Sequence, residues 1–246
     1  MGSRGHPCQA SSGNLPMDRS AAETRILQSG WLADQLPAVQ SDVLRHANLV
    51  FHPAGEFVFH AGDPQGGMYG VVSGGVGIHL PLDNGETSLG HIARSGVWFG
   101  YGPLIRDRPR SLSFSFTEPS WLLHVHLVKL TALAARSPLH QKAILSVGEY
   151  GMDIAIRVTS TLLVRNAEHR IAATLLRILP PPEKFSTGQV FELLLTQSQL
   201  GEMANADRKV VNRTLRRMAA KGWLKVSYGQ VEIIDRAALE SFLRSM

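Results

Sequence analysis

The stretch that most restricts the fold of this chain lies near its end: LTQSQLGEMANADRKVVNRTLRRMAAKGWLKVSYGQVEIID, residues 195–235. Thr196 stands where a helix needs an N-cap, and QSQLGEMA follows as a short helix. A tight turn comes at Asn205-Ala206. Asp207 is placed to cap a second helix, RKVVNRTLRRMAA, which Lys221-Gly222 ends. Two short helices joined by so brief a turn form a helix-turn-helix. WLKVS and QVEII, joined at Tyr228-Gly229, form a two-strand wing beside it. On the second helix Val211, Leu215 and Met218 make an apolar stripe at spacings of 4 and 3, and Arg208, Lys209, Asn212, Arg213 and Arg216 occupy the rest. One face can pack while the other presents guanidinium, ammonium and amide donors.

Charge follows the same division. Residues 1–166 carry 13 basic and 12 acidic side chains, whereas residues 167–246 carry 12 and 8. Between 207 and 225 seven basic residues face Asp207 alone, a local net of +6. That points to a polyanionic partner, although a solvated helix face has the same appearance.

The remainder reads as three further segments. MGSRGHPCQASSGNLPMDRS is rich in Gly, Ser and Pro, so residues 1–23 are expected to be a disordered tail. It holds the single cysteine, Cys8, too few thiols for an internal disulfide or a four-thiolate cluster. Residues 24–46 predict short helices broken near Gly30 and Pro37. From 49 to 126 glycines recur between short alternating runs (EFVFHAG, MYGVVSGGVGIHL, TSLGHIA, SLSFSF, WLLHVHL), with an Asn-Gly hairpin turn in LDNGET. This is the texture of an antiparallel sandwich or barrel. Ser137-Pro138 then opens a helix of more than 25 residues. Along it Ile144, Gly148, Gly151, Ala155, Val158, Leu162 and Arg165 step by 4 and 3, a heptad seam. Two glycines on one seam imply close approach of a second helix or a ligand, with packing on the chain's own domain as the alternative. HRIAATLLRIL reads as another amphipathic helix, broken by PPPEKF. No apolar run approaches the 18 or so residues of a membrane span, and no metal-ligand spacing, Walker loop or nucleophile elbow is visible.

This order of glycine-rich roll, long helix and winged helix resembles the Crp/Fnr family of bacterial transcription regulators, over roughly residues 40–240. LTQSQLGEMANADRKVVNRTLRRMAAKGWL resembles the family's helix-turn-helix signature throughout. The resemblance implies an α+β chain in three parts: an antiparallel, jelly-roll-like β-roll effector domain over 24–136, a dimerisation helix over 137–166 and a winged-helix DNA-binding domain over 167–246. Thr196, Gln197, Ser198, Arg208, Lys209, Asn212, Arg213 and Arg216 become the expected DNA contacts, with Arg208, Lys209 and Arg213 at the family's base-reading positions. The middle position is commonly Glu in the family. Lys209 cannot accept from a cytosine amino group, so the half-site is expected to differ.

The same resemblance marks an effector pocket. Phe99-Gly100 and Pro109-Arg110-Ser111 match the cassette with which cyclic AMP binders hold phosphate. Tyr101, beside Gly102, stands where those proteins have the Glu that bonds the ribose. The adenine-contacting polar pair falls at the apolar Ala155-Ile156, with Thr159-Ser160 one turn on. The expected occupant is therefore a small anionic or nucleotide-like effector other than cyclic AMP, or none. Arg110 has an alternative role as an internal ion pair to Asp107 or Glu118. His124 and His126 alternate on one strand and are expected to be surface residues, with a metal or haem role as the weaker alternative. The family implies a cytoplasmic homodimer on a near-palindromic duplex, meeting RNA polymerase if it activates. Rival readings are a ligand-independent regulator and a nucleotide-sensing interaction module without DNA binding.

Overall fold

The computed structural model describes residues 17–179 and 190–245, so Cys8 and the PPPEKF segment lie outside the described residues. Helix α1 (Arg19–Ile26) begins inside the segment expected to be disordered. Asp18 caps it, accepting from Ala21 N at 2.7 Å. Arg19 anchors it by donating to the carbonyls of Ala47 and Leu44. After α2 (Pro37–Arg45), eight strands form the roll: β1 (Ala47–His52), β2 (Phe57–Phe59), β3 (Gly67–Ser73), β4 (Val76–Pro81), β5 (Thr87–Ala93), β6 (Trp98–Phe99), β7 (Ser113–Phe116) and β8 (Ser120–His126), with a single helical turn, α3 (Gly102–Ile105), after β6.

Two antiparallel four-stranded sheets result, in the orders β1-β8-β3-β6 and β2-β7-β4-β5. Their inner faces meet in a core of Phe59, Val71, Val76, Phe99, Phe114, Phe116 and Leu122. The hairpin at LDNGET turns on Gly85 at φ +83°, and Leu82 N–H donates to Glu86 O at 2.8 Å. The outer side of the first sheet is closed by the helices. Trp31, fully buried, meets Trp98 edge-on at 5.4 Å among Met68, Leu123, Leu130 and Ile144.

Three helices follow the roll: α4 (Leu127–Ala134), α5 (Pro138–Leu145) and α6 (Val147–Leu162). The single long helix expected from Pro138 is thus divided at Ser146. There the Ala143 carbonyl accepts from Trp31 Nε1 at 2.9 Å and from Ser146 Oγ at 2.7 Å. Side chains entering the helix ladder in this way are a common cause of a kink.

The expected heptad seam is covered only in part, since Ala155, Leu162 and Arg165 remain exposed. Ile144 is fully buried against Trp31, Val158 is buried, and Gly148 and Gly151 face Ile105 and Tyr101 of the same chain. Besides Leu162 of that seam, exposed apolar side chains lie one position along, at Leu145, Met152, Ile156 and Leu163, spaced 7, 4 and 7. The roll covers the glycine-bearing part of the first row, and the second row, which also carries Glu149 and Thr159, stays open.

The C-terminal domain comprises α7 (Ala167–Arg177), β9 (Phe191–Leu194), α8 (Gln197–Ala204), α9 (Arg208–Ala220), β10 (Leu224–Ser227), β11 (Gln230–Ile233) and α10 (Arg236–Arg244). The wing has a third strand: β9 pairs with β11, giving the order β10-β11-β9. Its signal in the sequence is the alternation of Phe191, Leu193 and Leu195 toward the core. This domain packs directly on the roll. Leu89 and Ile92 of β5 join its core beside Ile171 and Met203, and Leu89 N–H donates to Glu202 Oε2 at 3.1 Å.

Candidate DNA-binding face and effector pocket

Local sequence builds the helix pair. Thr196 Oγ1 accepts from Gln199 N at 3.2 Å while Gln199 Oε1 accepts from Thr196 N at 2.9 Å, a reciprocal capping box. Asn205 adopts the left-handed conformation, φ 44°, that turns the chain between α8 and α9. Gly201 lets the turn close, because a Cβ there would lie 2.7 Å from Ala206 O. Asp207 is the N-cap of α9, though its side chain makes no capping bond. Val211, Leu215 and Met218 are buried together with Thr214.

The outward face of α9 presents Arg208, Lys209, Arg213 and Arg216, all exposed, and no described acid pairs with any of them. Ser198 is exposed beside them, while Gln197 accepts from Asn212 Nδ2 at 3.2 Å, which orients both amides. Thr196 is engaged in its cap. Not every cation of the basic run is available. Arg217 donates to both oxygens of Glu168 at 2.6 and 2.7 Å, and Lys221 lies 4.4 Å over the Trp223 ring.

Sequence reasoning missed Arg170. Its guanidinium reaches Ala204 O at 2.5 Å, Asn205 O at 2.8 Å and Val164 O at 2.7 Å. One side chain thereby ties the end of α8 and the inter-helix turn to the linker after α6. An arginine within an amphipathic helix pattern gives no hint of this.

The cassette loop borders a cavity of about 510 Å³ between the roll and α6. Phe99, Gly100, Tyr101, Gly102, Arg110, Ser111, Ala155 and Thr159 all line it. Ile156 does not: it is 54% exposed on the opposite side of α6. Arg110 is buried and makes neither expected ion pair. It donates to Gly100 O at 2.9 Å and Gly67 O at 3.1 Å, with its guanidinium 3.8 Å above the Phe59 ring. Glu118 pairs with Arg94, and Asp107 accepts from Gln65 at 2.5 Å. Burial lowers the Arg110 pKa from its ordinary value. Its Nε has no partner among the described residues, so a preoriented cation faces a mostly apolar cavity.

Tyr101 and Gly151 account for each other. A Cβ on Gly151 would fall 1.6 Å from the Tyr101 hydroxyl oxygen and 2.7 Å from Cζ. The glycine leaves the notch in α6 that the phenol fills, and burial pushes the phenol pKa up. His124 and His126 stand 4.4 Å apart, and His124 stacks on Tyr69 at 4.3 Å. Among the described residues no three His, Cys, Asp or Glu side chains gather as a metal site.

The two halves of this geometry correspond to two family models: a cyclic nucleotide-binding domain over residues 49–137 and a Crp-like helix-turn-helix domain over residues 169–242. The chain belongs to the Crp/Fnr family. It is a transcription regulator of that family, 26% identical over 189 residues to the cyclic AMP receptor protein of Thermus thermophilus, covering 77% of this chain and 85% of that one. It is 27% identical over 188 residues to the CRP-like protein Clp of Xanthomonas axonopodis, covering 74% and 81%. Among solved structures, FixK2 from Bradyrhizobium japonicum superposes with a TM-score of 0.68 at 18% identity, covering 79% of this chain and 96% of that one. The c-di-GMP-responsive regulator CLP of Xanthomonas campestris gives 0.61 at 24%, covering 80% and 98%. These likenesses show the fold, an α+β chain with a β-roll and a C-terminal helix-turn-helix. Among the described residues no helix is long and apolar enough to cross a membrane.

Proposed function

We propose that this regulator binds a near-palindromic DNA duplex as a homodimer, in the cytoplasm, with α9 of each protomer in a major groove. The observation that carries the reading is the division of α9. Val211, Leu215 and Met218 are buried, while Arg208, Lys209, Arg213 and Arg216 stand exposed without acidic partners. Residues at the start of such a helix reach base edges, and later cations meet phosphates. The exposed row Leu145, Met152, Ile156 and Leu163 supports a two-fold helix pair. As an activator, such a dimer would also meet RNA polymerase. Fluorescence anisotropy against salt tests the reading. Log affinity is expected to fall linearly with log salt, and Arg213→Ala to weaken binding and reduce the slope by up to about 1. Absence of binding to any duplex at low salt would sink it.

The β-roll cavity supports a small anionic or nucleotide-like effector held at Arg110, in a pose unlike that of cyclic AMP. Tyr101 occupies the space beside Gly151, and Ala155 supplies no hydrogen bond to a base. Cyclic AMP at millimolar concentration is expected to leave the melting temperature unchanged. A saturable rise that Arg110→Gln abolishes would overturn this part.

A further inference from the structure

A second cavity, of about 330 Å³, lies between the β5–β6 turn, the segment after α1, α6 and the end of α7. Two turns meet back to back at its wall. Gly30 and Gly96 have φ of +81° and +93°, and a Cβ on Gly30 would lie 2.0 Å from Gly96 O. The chain can take this shape only where both residues lack side chains.

His91 from β5, Arg94 from the turn and Arg177 from the last turn of α7 bring buried basic side chains to the space, which Trp98 and the exposed Arg157 also line. His91 is 7% exposed, and its Nδ1 has no partner among the described residues. Arg94 pairs through Nη1 with Glu118, leaving buried Nε and Nη2 unpartnered. Arg177 donates from Nη2 to Gly90 O at 3.2 Å, leaving buried Nε and Nη1 unpartnered. With Trp98 Nε1, six buried nitrogens without partners among the described residues surround one space, far more than a packed domain ordinarily tolerates. Two carboxylates, Asp34 and Asp153, also line the cavity but do not pair with these nitrogens. Glu118 is engaged by Arg94, Asp34 accepts from the Tyr150 hydroxyl, and Asp153 is exposed on α6 beside exposed Arg157. Burial, then the charges of Arg177 and Arg94, lower His91 to about 3. Both arginines, lowered by burial to about 10, remain cations at neutral pH.

We propose that this cavity is a second ligand site, for a small anion carrying phosphate or carboxylate oxygens. The anion would bridge Arg94 and Arg177 beside His91 and fasten the winged-helix domain to the β-roll. Arg94 belongs to the roll and Arg177 to the winged-helix domain, so an anion between them biases the position of α9. His91, Val97, Trp98 and Ile154 border both cavities, so the second site shares a wall with the first. The proposal stands whether or not the first cavity takes an effector.

The test uses the full chain with inorganic phosphate or malonate, each against chloride at matched ionic strength. A saturable rise in melting temperature is expected with at least one probe, and which one responds separates phosphate from carboxylate chemistry. Amide exchange should slow at 91–97 and 174–179. Arg177→Gln is expected to weaken binding by about tenfold, whereas Arg25→Gln, an exposed arginine of α1, should not change it. Should Arg177→Gln fail to fold, the exchange pattern of the unaltered chain decides. No saturable response, an isotherm indifferent to Arg177→Gln, or protection confined to 99–111 or to α9 would overturn the proposal, leaving a cavity that holds water.

Discussion

Gly151 costs α6 helical stability, and the contact with Tyr101 states what that cost permits. Alanine in a helix interior is favoured over glycine by about 1 kcal/mol. In this chain the added methyl would overlap the Tyr101 hydroxyl at 1.6 Å and Cζ at 2.7 Å. Forcing such an overlap typically costs about 1–3 kcal/mol. Gly151→Ala is therefore expected to destabilise the chain by up to about 2 kcal/mol. In a Tyr101→Ala background the obstacle is gone, and the same change should stabilise by about 1 kcal/mol. The coupling across this double-mutant cycle is then about 1–3 kcal/mol. For a chain of this size each kcal/mol moves the melting temperature by about 2–4 °C, within reach of differential scanning fluorimetry or calorimetry. Gly148 is an internal control. Its added Cβ would meet only Ile105 Cδ1 at 3.5 Å, so Gly148→Ala should be neutral or stabilising by up to about 1 kcal/mol. Equal effects of Gly151→Ala in both backgrounds would refute the reasoning, since the ring would then move aside freely.

Arg170→Ala removes four bonds to carbonyls, partly replaced by water at this half-buried site, and is expected to cost about 2 kcal/mol. Amide exchange should quicken across 163–166 and 204–206 before the β-roll responds. Asp42 is buried and is engaged by Arg136, by Arg45 at 3.0 Å and by His140 Nε2 at 3.0 Å. Burial raises its carboxyl pKa, but hydrogen bonds from Arg136 and His140 outweigh this and hold it below the ordinary 3.8. A depressed carboxyl pKa adds stability above the ordinary value and loses it as pH falls through the folded one. Asp42→Asn should therefore destabilise by about 1–3 kcal/mol at pH 7, with the gap to the parent closing below about pH 4 in denaturant titrations. Met152→Asp with Ile156→Asp should leave each protomer folded but shift light-scattering mass toward the monomer and weaken binding to a palindrome. An unchanged mass would place the dimer contact elsewhere.

How much of this was legible depended on distance along the chain. The helix-turn-helix rests on signals within about forty residues: a capping box, a left-handed turn residue, a stripe at spacings of 4 and 3, and a run of cations. The cassette outline, Phe99-Gly100 and Pro109-Arg110-Ser111, was likewise legible, and so was the oddity of Tyr101. Three readings failed where a distant side chain decides. Residues 19–23 are helical because Arg19 is held at Leu44 and Ala47. The helix from Pro138 divides because Trp31 reaches Ala143. Ile156 leaves the pocket because the roll selects which row of α6 it covers.

By itself the sequence determined the antiparallel roll and the helix-turn-helix, since caps, turns and periodicities are local properties of the chain, while the resemblance of one loop to the family's cassette singled out Arg110. Tertiary structure decided the partners of Arg110, the pairing of Tyr101 with Gly151, the open row of α6 and the meeting of His91, Arg94 and Arg177. Each of those depends on which surfaces press together, and a linear pattern carries no record of the opposing surface.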